Sequence, residues 1–527
     1  MSDADDQEQL NNFVRLFRRL VTQVLREAPS SESVVRARIQ AHLQEDPLAL
    51  PIVAQSWRPW DHVNLQLAID ALLSEAGVES ELLGIAAPHK RHMGLSLSDL
   101  LQERGPMAVT FGPVDYAKLA SGPGATHSCV EFGLYLVRTA DGPLVALVRA
   151  GSQEMGHGGI VVEVMGREPE QVDKLHVRLR ELAHEHNVFR GQVLSLGGTG
   201  QMFEPESPAL HFHRRVTLPR DAVVMPPGTL ERIERHTLGM ASMRDALQAA
   251  GRHLKRGVLL HGPPGTGKTL TARYLIGSLS EHTVLLVTGQ GLGLVGSAVE
   301  VARELQPAMV IVEDVDLVAE ERTFPGAHNA VLFELLNAMD GVNDDADLLF
   351  VLTTNRADLL EPALAARPGR VDLAIEIPLP DDDCRRRLIA RYFEGVDAQI
   401  DDVESIVART EGITASFVKE LVRAATVLAL EAGDQPVVVR DSHVHAALDE
   451  LLDESSSLTA RLLGGAADRP PPSTLESMDW MPGAPALMRG FSAHRGGFGG
   501  SRSFMVMHSA AGDDDLDLDD LDDLDDE

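Results

Sequence analysis

With 527 residues the chain is too long for one hydrophobic core, and at about 150 residues per domain it divides into several folding units. A formal net charge of −32 excludes the broad basic surface that phosphate backbones require, so no nucleic-acid partner is expected. The composition, 44% hydrophobic and 24% charged, is that of a globular protein, and the two cysteines, Cys129 and Cys384, suggest neither a disulfide framework nor a zinc cluster.

The start, MSDADDQEQL, lacks the basic and apolar regions of a signal peptide, and a cytoplasmic protein is expected. Phe13, Leu16, Phe17, Leu20, Val21, Val24 and Leu25 recur at helical spacing, so amphipathic helices are predicted over 7–46 and 59–77, within a helical N-terminal region, 1–105. Farther on, CVEFGLYLVRTADGPLVALVRAG reads as two β-runs joined by a hairpin at Asp141 and Gly142. GIVVEVMG and RGQVLSL add strands around a helix over 168–187, giving an α+β accessory domain, 106–215. Within that helix His184 and His186 stand two apart and point to different faces. No HExxH occurs anywhere, so these and His176 are expected to be packing or surface histidines.

From LKRGVLLHGPPGTGKT onward apolar strands alternate with helical stretches, the βαβ pattern of a parallel α/β sheet, assigned to 223–378. The uncharged stretch 283–299 carries four glycines and falls short of about 20 consecutive apolar residues, so no membrane span is expected. Residues 379–452 read as a helical lid. The tail, 453–527, is rich in Gly, Pro and Ser and ends in eleven acids and no base over 513–527. It cannot bury enough apolar area to offset its ordering entropy, so a disordered acidic tail is predicted.

The chemistry sits between strand and helix. Gly262, Pro263, Pro264, Gly265, Thr266, Gly267, Lys268 and Thr269 satisfy GxxxxGKT, after the strand GVLL and before a helix opening at Leu270. Glycines at this position let backbone N–H groups cradle phosphates at a helix N-terminus. Lys268 is expected to reach the β- and γ-phosphates, and Thr269 to ligate Mg²⁺. Downstream, VIVEDVD ends an apolar strand in Glu313 and Asp314, and LLFVLTTN ends one in Asn355, placed to sense a γ-phosphate or hold an attacking water. Beyond it Arg367 and Arg370 flank a Pro-Gly turn.

These motifs together, with LLNAMDG and RPGR, make residues 223–452 resemble an AAA ATPase module: a P-loop NTPase parallel sheet with a C-terminal helical lid, here preceded by an α+β region. The resemblance implies ATP hydrolysis with Mg²⁺, and a ring, usually of six. In such a ring Arg367 and Arg370 act as arginine fingers on the neighbour's γ-phosphate, and Asn355 serves as the sensor.

Two departures bear on mechanism. The family places Asp before Glu at the acidic strand end, whereas here Glu313 precedes Asp314, an order similar to that of the mitochondrial AAA translocase of the Rieske iron–sulfur protein. By position Glu313 takes the metal side, through water, and Asp314 the attacking water. Where the family's pore loop carries an aromatic residue, an apolar residue and a glycine, this chain has Leu294, Val295 and Gly296, flanked by further glycines. Leucine grips an extended chain less well.

The expectation is an ATP-driven machine that remodels or chaperones protein clients, recognised by the N-terminal region. The rival is an ATP-dependent switch or scaffold ring with negligible turnover. A third reading, an unfoldase for a separate protease, is kept behind both, since no protease motif follows residue 452.

Overall fold

The computed structural model describes residues 33–86, 95–102, 109–150, 159–197, 209–316, 335, 337–339, 346–358, 371–433 and 437–452. The helix expected before residue 33, Arg367 and Arg370, and the tail from 453 lie outside the described residues.

Seven strands form an N-terminal sheet: β1 (Ile52–Trp57), β2 (Glu79–Ala86), β3 (Thr110–Gly112), β4 (Asp115–Gly122), β5 (Ala125–Thr139), β6 (Gly142–Ala150) and β7 (Ile160–Gly166). Their order is β1-β7-β6-β5-β2-β3 with β4 also on β5, and all pairs are antiparallel. Side chains alternate across a strand, so each run feeds two cores. Tyr135, Val137, Ala146, Val148, Val162 and Val164 pack under the helices His62–Leu73 and Pro169–Glu185. Leu134, Leu136, Val145, Leu147 and Met165 face the helix Val34–Leu43 on the other side. Each such side chain contributes about 1.5–3 kcal/mol on burial.

The predicted hairpin forms: Thr139 pairs with Gly142, whose φ of +128° suits a glycine, and the Asp141 amide donates to Thr139 Oγ1 at 3.2 Å. The helix over Pro169–Glu185 also forms, and its His176 is a packing residue, buried with Nε2 3.3 Å from the Val53 carbonyl. No group of metal-binding type occurs among the described residues.

The boundary at residue 105 is corrected. β1 pairs with β7 and β2 with β5, so one sheet takes strands from both 1–105 and 106–215. Most positions of β1 and β2 are only half-buried or exposed, which weakens the apolar alternation by which sequence reveals a strand.

A second sheet adds β8 (Val193–Gly197), β9 (Ala209–His213), β10 (Arg256–His261), β11 (Thr283–Val287), β12 (Ala308–Val312), β13 (Leu348–Thr354) and β14 (Leu373–Glu376), in the order β14-β10-β13-β12-β11-β8-β9. Every pairing from β14 to β8 is parallel, and β9 closes the edge antiparallel. Both faces are covered, as parallel sheets require. Val258, Leu260, Met309, Ile311, Leu349 and Val351 pack on Ala272, Leu275 and Ile276 of the helix Lys268–Ser278. Leu259, Val310, Val312, Phe350 and Leu352 share the opposite core with Val295, Ala298, Val299 and Ala302 of the helix Val295–Glu304.

The end of the accessory region is corrected in the same way. β8 was expected within 106–215, yet it hydrogen-bonds to β11, and Val193 and Leu194 enter the two opposite cores of the second sheet. A short apolar run specifies a strand but not the sheet that accepts it.

The N-terminal region is fastened to the helix Val295–Glu304. Val63 and Cys129 are buried in the same core as that helix, with Trp60, Leu67 and Leu119 packed against it. Arg58 lies over the Trp60 ring, 5.5 Å from its centroid, and pairs with Glu304 at 2.7 Å. Asp61 is pushed up to about 6, chiefly by burial and further by Glu304, against the pull of Arg58.

The lid has its own core, built from the helices Asp382–Tyr392, Val403–Arg409, Ala415–Glu431 and Asp441–Leu452. Side-chain caps start three of them: Asp381 accepts from the Cys384 amide at 2.8 Å, Asp402 from Ser405 at 3.1 Å, and Thr414 from Phe417 at 3.3 Å. No helix among the described residues is long and apolar enough to cross a membrane.

Candidate active site

β10 delivers the chain into the glycine loop, where Gly262, Gly265 and Gly267 have φ of +144°, +76° and +106°. At Gly262 the need is absolute, because a Cβ would lie 2.3 Å from the Ile377 carbonyl oxygen. Gly267 caps the helix Lys268–Ser278, and a Cβ there would meet nothing within 4 Å, which leaves the space over the helix N-terminus open. Open backbone amides at a helix start form a cradle for anions. Lys268, 6% exposed, donates from Nζ to the carbonyls of Gly262 at 2.9 Å and Pro263 at 2.8 Å. Burial lowers its pKa, while Asp314 and Asp316 favour the charged form.

β12 lies between β11 and β13 at the middle of the sheet and carries Glu313 and Asp314 at its C-terminal end. Ligand sites in open α/β sheets lie at such strand ends. Burial raises the pKa of Glu313, with Asp314 adding to the rise and the neighbouring Thr269 hydroxyl and Arg273 charge opposing it. Asp314 has a φ of +50°, one of two non-glycine residues in the left-handed region among those described. Aspartate tolerates that conformation better than most residues. Its amide donates to Thr353 Oγ1 at 3.1 Å, and its Oδ1 accepts from Asn355 Nδ2 at 3.3 Å. The acidic strand end and the polar end of β13 are thereby brought together, and the two acids face different neighbours: Glu313 the P-loop threonine, Asp314 the asparagine.

The lid closes on the same loop. Ser416, at the start of the helix Ala415–Glu431, donates to the Gly265 carbonyl from its amide at 3.1 Å and from Oγ at 3.3 Å. Ser416 had no role in the sequence reading, and neither did Asp316, buried at 6% and bonded to the end of β13. An acid two residues beyond Asp314 is visible in VIVEDVD, but nothing in the spacing says which way it points.

The expected pore segment is corrected. Gly289–Leu294 is a short 3₁₀ turn, Leu294 packs against the sheet core, and Val295 is 0% exposed at the start of a helix. Leu294, Val295 and Gly296 therefore present no free gripping loop in this structure. Loop glycines leave local conformation undetermined, and the apolar side chains take the available core.

Parallel strand order, glycine loop and paired acids define a P-loop nucleoside-triphosphatase module. Residues 258–379 match the ATPase family associated with various cellular activities (AAA). The 26S proteasome regulatory subunit 6B homolog of Encephalitozoon cuniculi is 36% identical over 220 residues, 37% of this chain and 54% of that protein. The proteasome-activating nucleotidase of Methanococcus vannielii is 33% identical over 199 residues, 35% of this chain and 49% of its own length. The ATP-dependent zinc metalloprotease FtsH of Mycobacterium tuberculosis is 32% identical over 219 residues, 39% of this chain and 28% of its own length. The chain thus spans about half the length, or less, of the curated relatives it matches. Within this chain the likeness is confined to that module, which is similar to the AAA ATPase domain.

Proposed function

We propose that the protein is an ATP-hydrolysing machine that works as an oligomeric ring, usually of six in this family, and remodels protein clients. The observation that carries the hydrolytic reading is the convergence of Lys268, Thr269, Glu313, Asp314 and Asn355 at neighbouring strand ends around an open helix N-terminus.

The residues present suit ATP and magnesium. The amides of the glycine loop and the Lys268 ammonium bind the phosphates, Lys268 exchanging its two carbonyl partners for phosphate oxygens. Thr269 and Glu313 hold the metal side, Glu313 through water, and Leu270 continues the binding helix. Magnesium, when bound, neutralises charge on the phosphates. Asp314 takes a proton from the attacking water, and Asn355, bonded to Asp314, fixes where that water sits. A base oxygen must stand about 2.6–3.2 Å from the oxygen of the water it deprotonates, or act through one further water.

Arg367 and Arg370 are assigned as fingers completing the neighbour's site, which makes turnover a property of the assembly. The buried Val295 favours work on folded clients over threading an extended chain. The N-terminal region shares a core with the ATPase sheet, so movement there reaches any client bound to it. Three relatives named for proteasomal or proteolytic roles keep open the rival that the ring serves a separate protease. A switch or scaffold that holds ATP without turnover is the other rival.

The ring is tested by measuring ATPase rate per subunit against protein concentration, with sedimentation of the same samples. The rate is expected to rise as the oligomer forms, and Arg370→Ala to assemble and bind ATP but lose about 10³-fold or more in rate. Full specific activity in a dilute monomer would contradict it.

A further inference from the structure

The strand end that carries Asn355 is held by a residue outside the catalytic set. Asp316 is buried, and one oxygen, Oδ1, accepts two hydrogen bonds: from Thr354 Oγ1 at 2.9 Å and from the Asn355 amide at 3.2 Å. The Thr354 hydroxyl in turn accepts from the Arg356 amide at 2.9 Å, so the turn leaving β13 is tied residue by residue. A third tie runs the other way, from the Asp314 amide to Thr353 Oγ1. The two strand ends therefore exchange bonds at Thr353, Thr354 and Asn355. The Asn355 side chain, which is exposed, donates from Nδ2 to Asp314 Oδ1.

We propose that Asp316 is a positioning residue: it fixes the backbone of Asn355 so that the Asn355 amide is presented to Asp314 and to the attacking water. Burying a carboxylate is costly unless it is well bonded. Here one bond comes from the asparagine that the hydrolytic reading needs in place and the other from Thr354, the residue before it. The proposal rests on that reading.

Because a single oxygen takes both bonds, an amide can replace the carboxylate in this role, whereas a charge effect on nearby Lys268 would not survive the replacement. In the full-length protein, Asp316→Ala is expected to lower kcat about 10- to 100-fold with KM for ATP within about threefold, since a misplacement near 1 Å can cost about 10²-fold. Asp316→Asn is expected to restore most of the rate. Thr354→Val, which fills the same space, tests the network should Asp316→Ala fail to fold, and is expected to lower kcat about threefold or more at unchanged KM. Folding is followed by thermal melting and ATP binding in each variant.

A folded Asp316→Ala with wild-type kcat would overturn the proposal, as would Thr354→Val at full rate or Asp316→Asn as slow as Asp316→Ala. A wild type that binds ATP without turnover, even when assembled, would remove the hydrolytic reading and the positioning role with it. Normal wild-type turnover with indifferent variants would remove only the positioning role.

Discussion

Asp314→Asn is expected to reduce ATP turnover by about 10²- to 10⁴-fold, the usual contribution of a general base, while ATP binding stays within a few-fold of wild type. The substitution removes the group that takes the proton and little else. Asparagine is among the residues most at home at a φ of +50°, so the backbone at residue 314 is not newly strained. Its side-chain oxygen still accepts from Asn355 Nδ2, and its amide still reaches Thr353 Oγ1. Stopped-turnover measurements beside equilibrium ATP binding check it. A variant that hydrolyses at the wild-type rate would mean that another group takes the proton.

Lys268→Ala is expected to weaken ATP binding about 10- to 100-fold, with hydrolysis lost at ordinary nucleotide concentrations. A hydrogen bond to a charged group contributes about 1.5–3 kcal/mol, and 1.4 kcal/mol is a factor of ten in affinity. The ammonium is already desolvated and held by the Gly262 and Pro263 carbonyls, so exchange of these partners for phosphate oxygens needs little further burial. Thermal melting reads the same effect: at 100 times its dissociation constant a ligand adds about 2.7 kcal/mol of stability. Wild type is expected to gain that increment with ATP and Mg²⁺, and Lys268→Ala to gain almost none. Equal stabilisation of the two would contradict the assignment of Lys268.

The nucleotide loop was legible in the sequence because its glycines answer to steric demands that no other residue meets, most sharply at Gly262 against Ile377. The hairpin at Asp141 and Gly142 was legible for the same kind of reason. Strands β12 and β13 announced themselves as continuous apolar runs, as strands buried on both faces do. What sequence could not supply was partnership. β8 reads equally well as a strand of either sheet, and its place beside β11 depends on residues 91 positions away. The edge strand β1 lacks the alternation that would have moved it out of a helical region. Asp316 was visible as a third acid, but its direction is set by the end of β13, which closes on it only in the folded chain. Leu294 and Val295 were placed in a loop by motif position; their apolar side chains instead pack in the core.

The division of labour in the inverted acidic pair is the central claim, and a magnesium titration of ATPase activity tests it most directly. Wild type, Glu313→Gln and Asp314→Asn are compared under conditions in which each is assembled and saturated with ATP. If Glu313 stands on the metal side and Asp314 on the water, Glu313→Gln raises the Mg²⁺ concentration for half-maximal rate and recovers in part at high Mg²⁺. Asp314→Asn keeps the wild-type midpoint and loses the plateau. The reverse pattern, with the midpoint moved by Asp314→Asn and the plateau lost in Glu313→Gln at every Mg²⁺ concentration, would contradict the account.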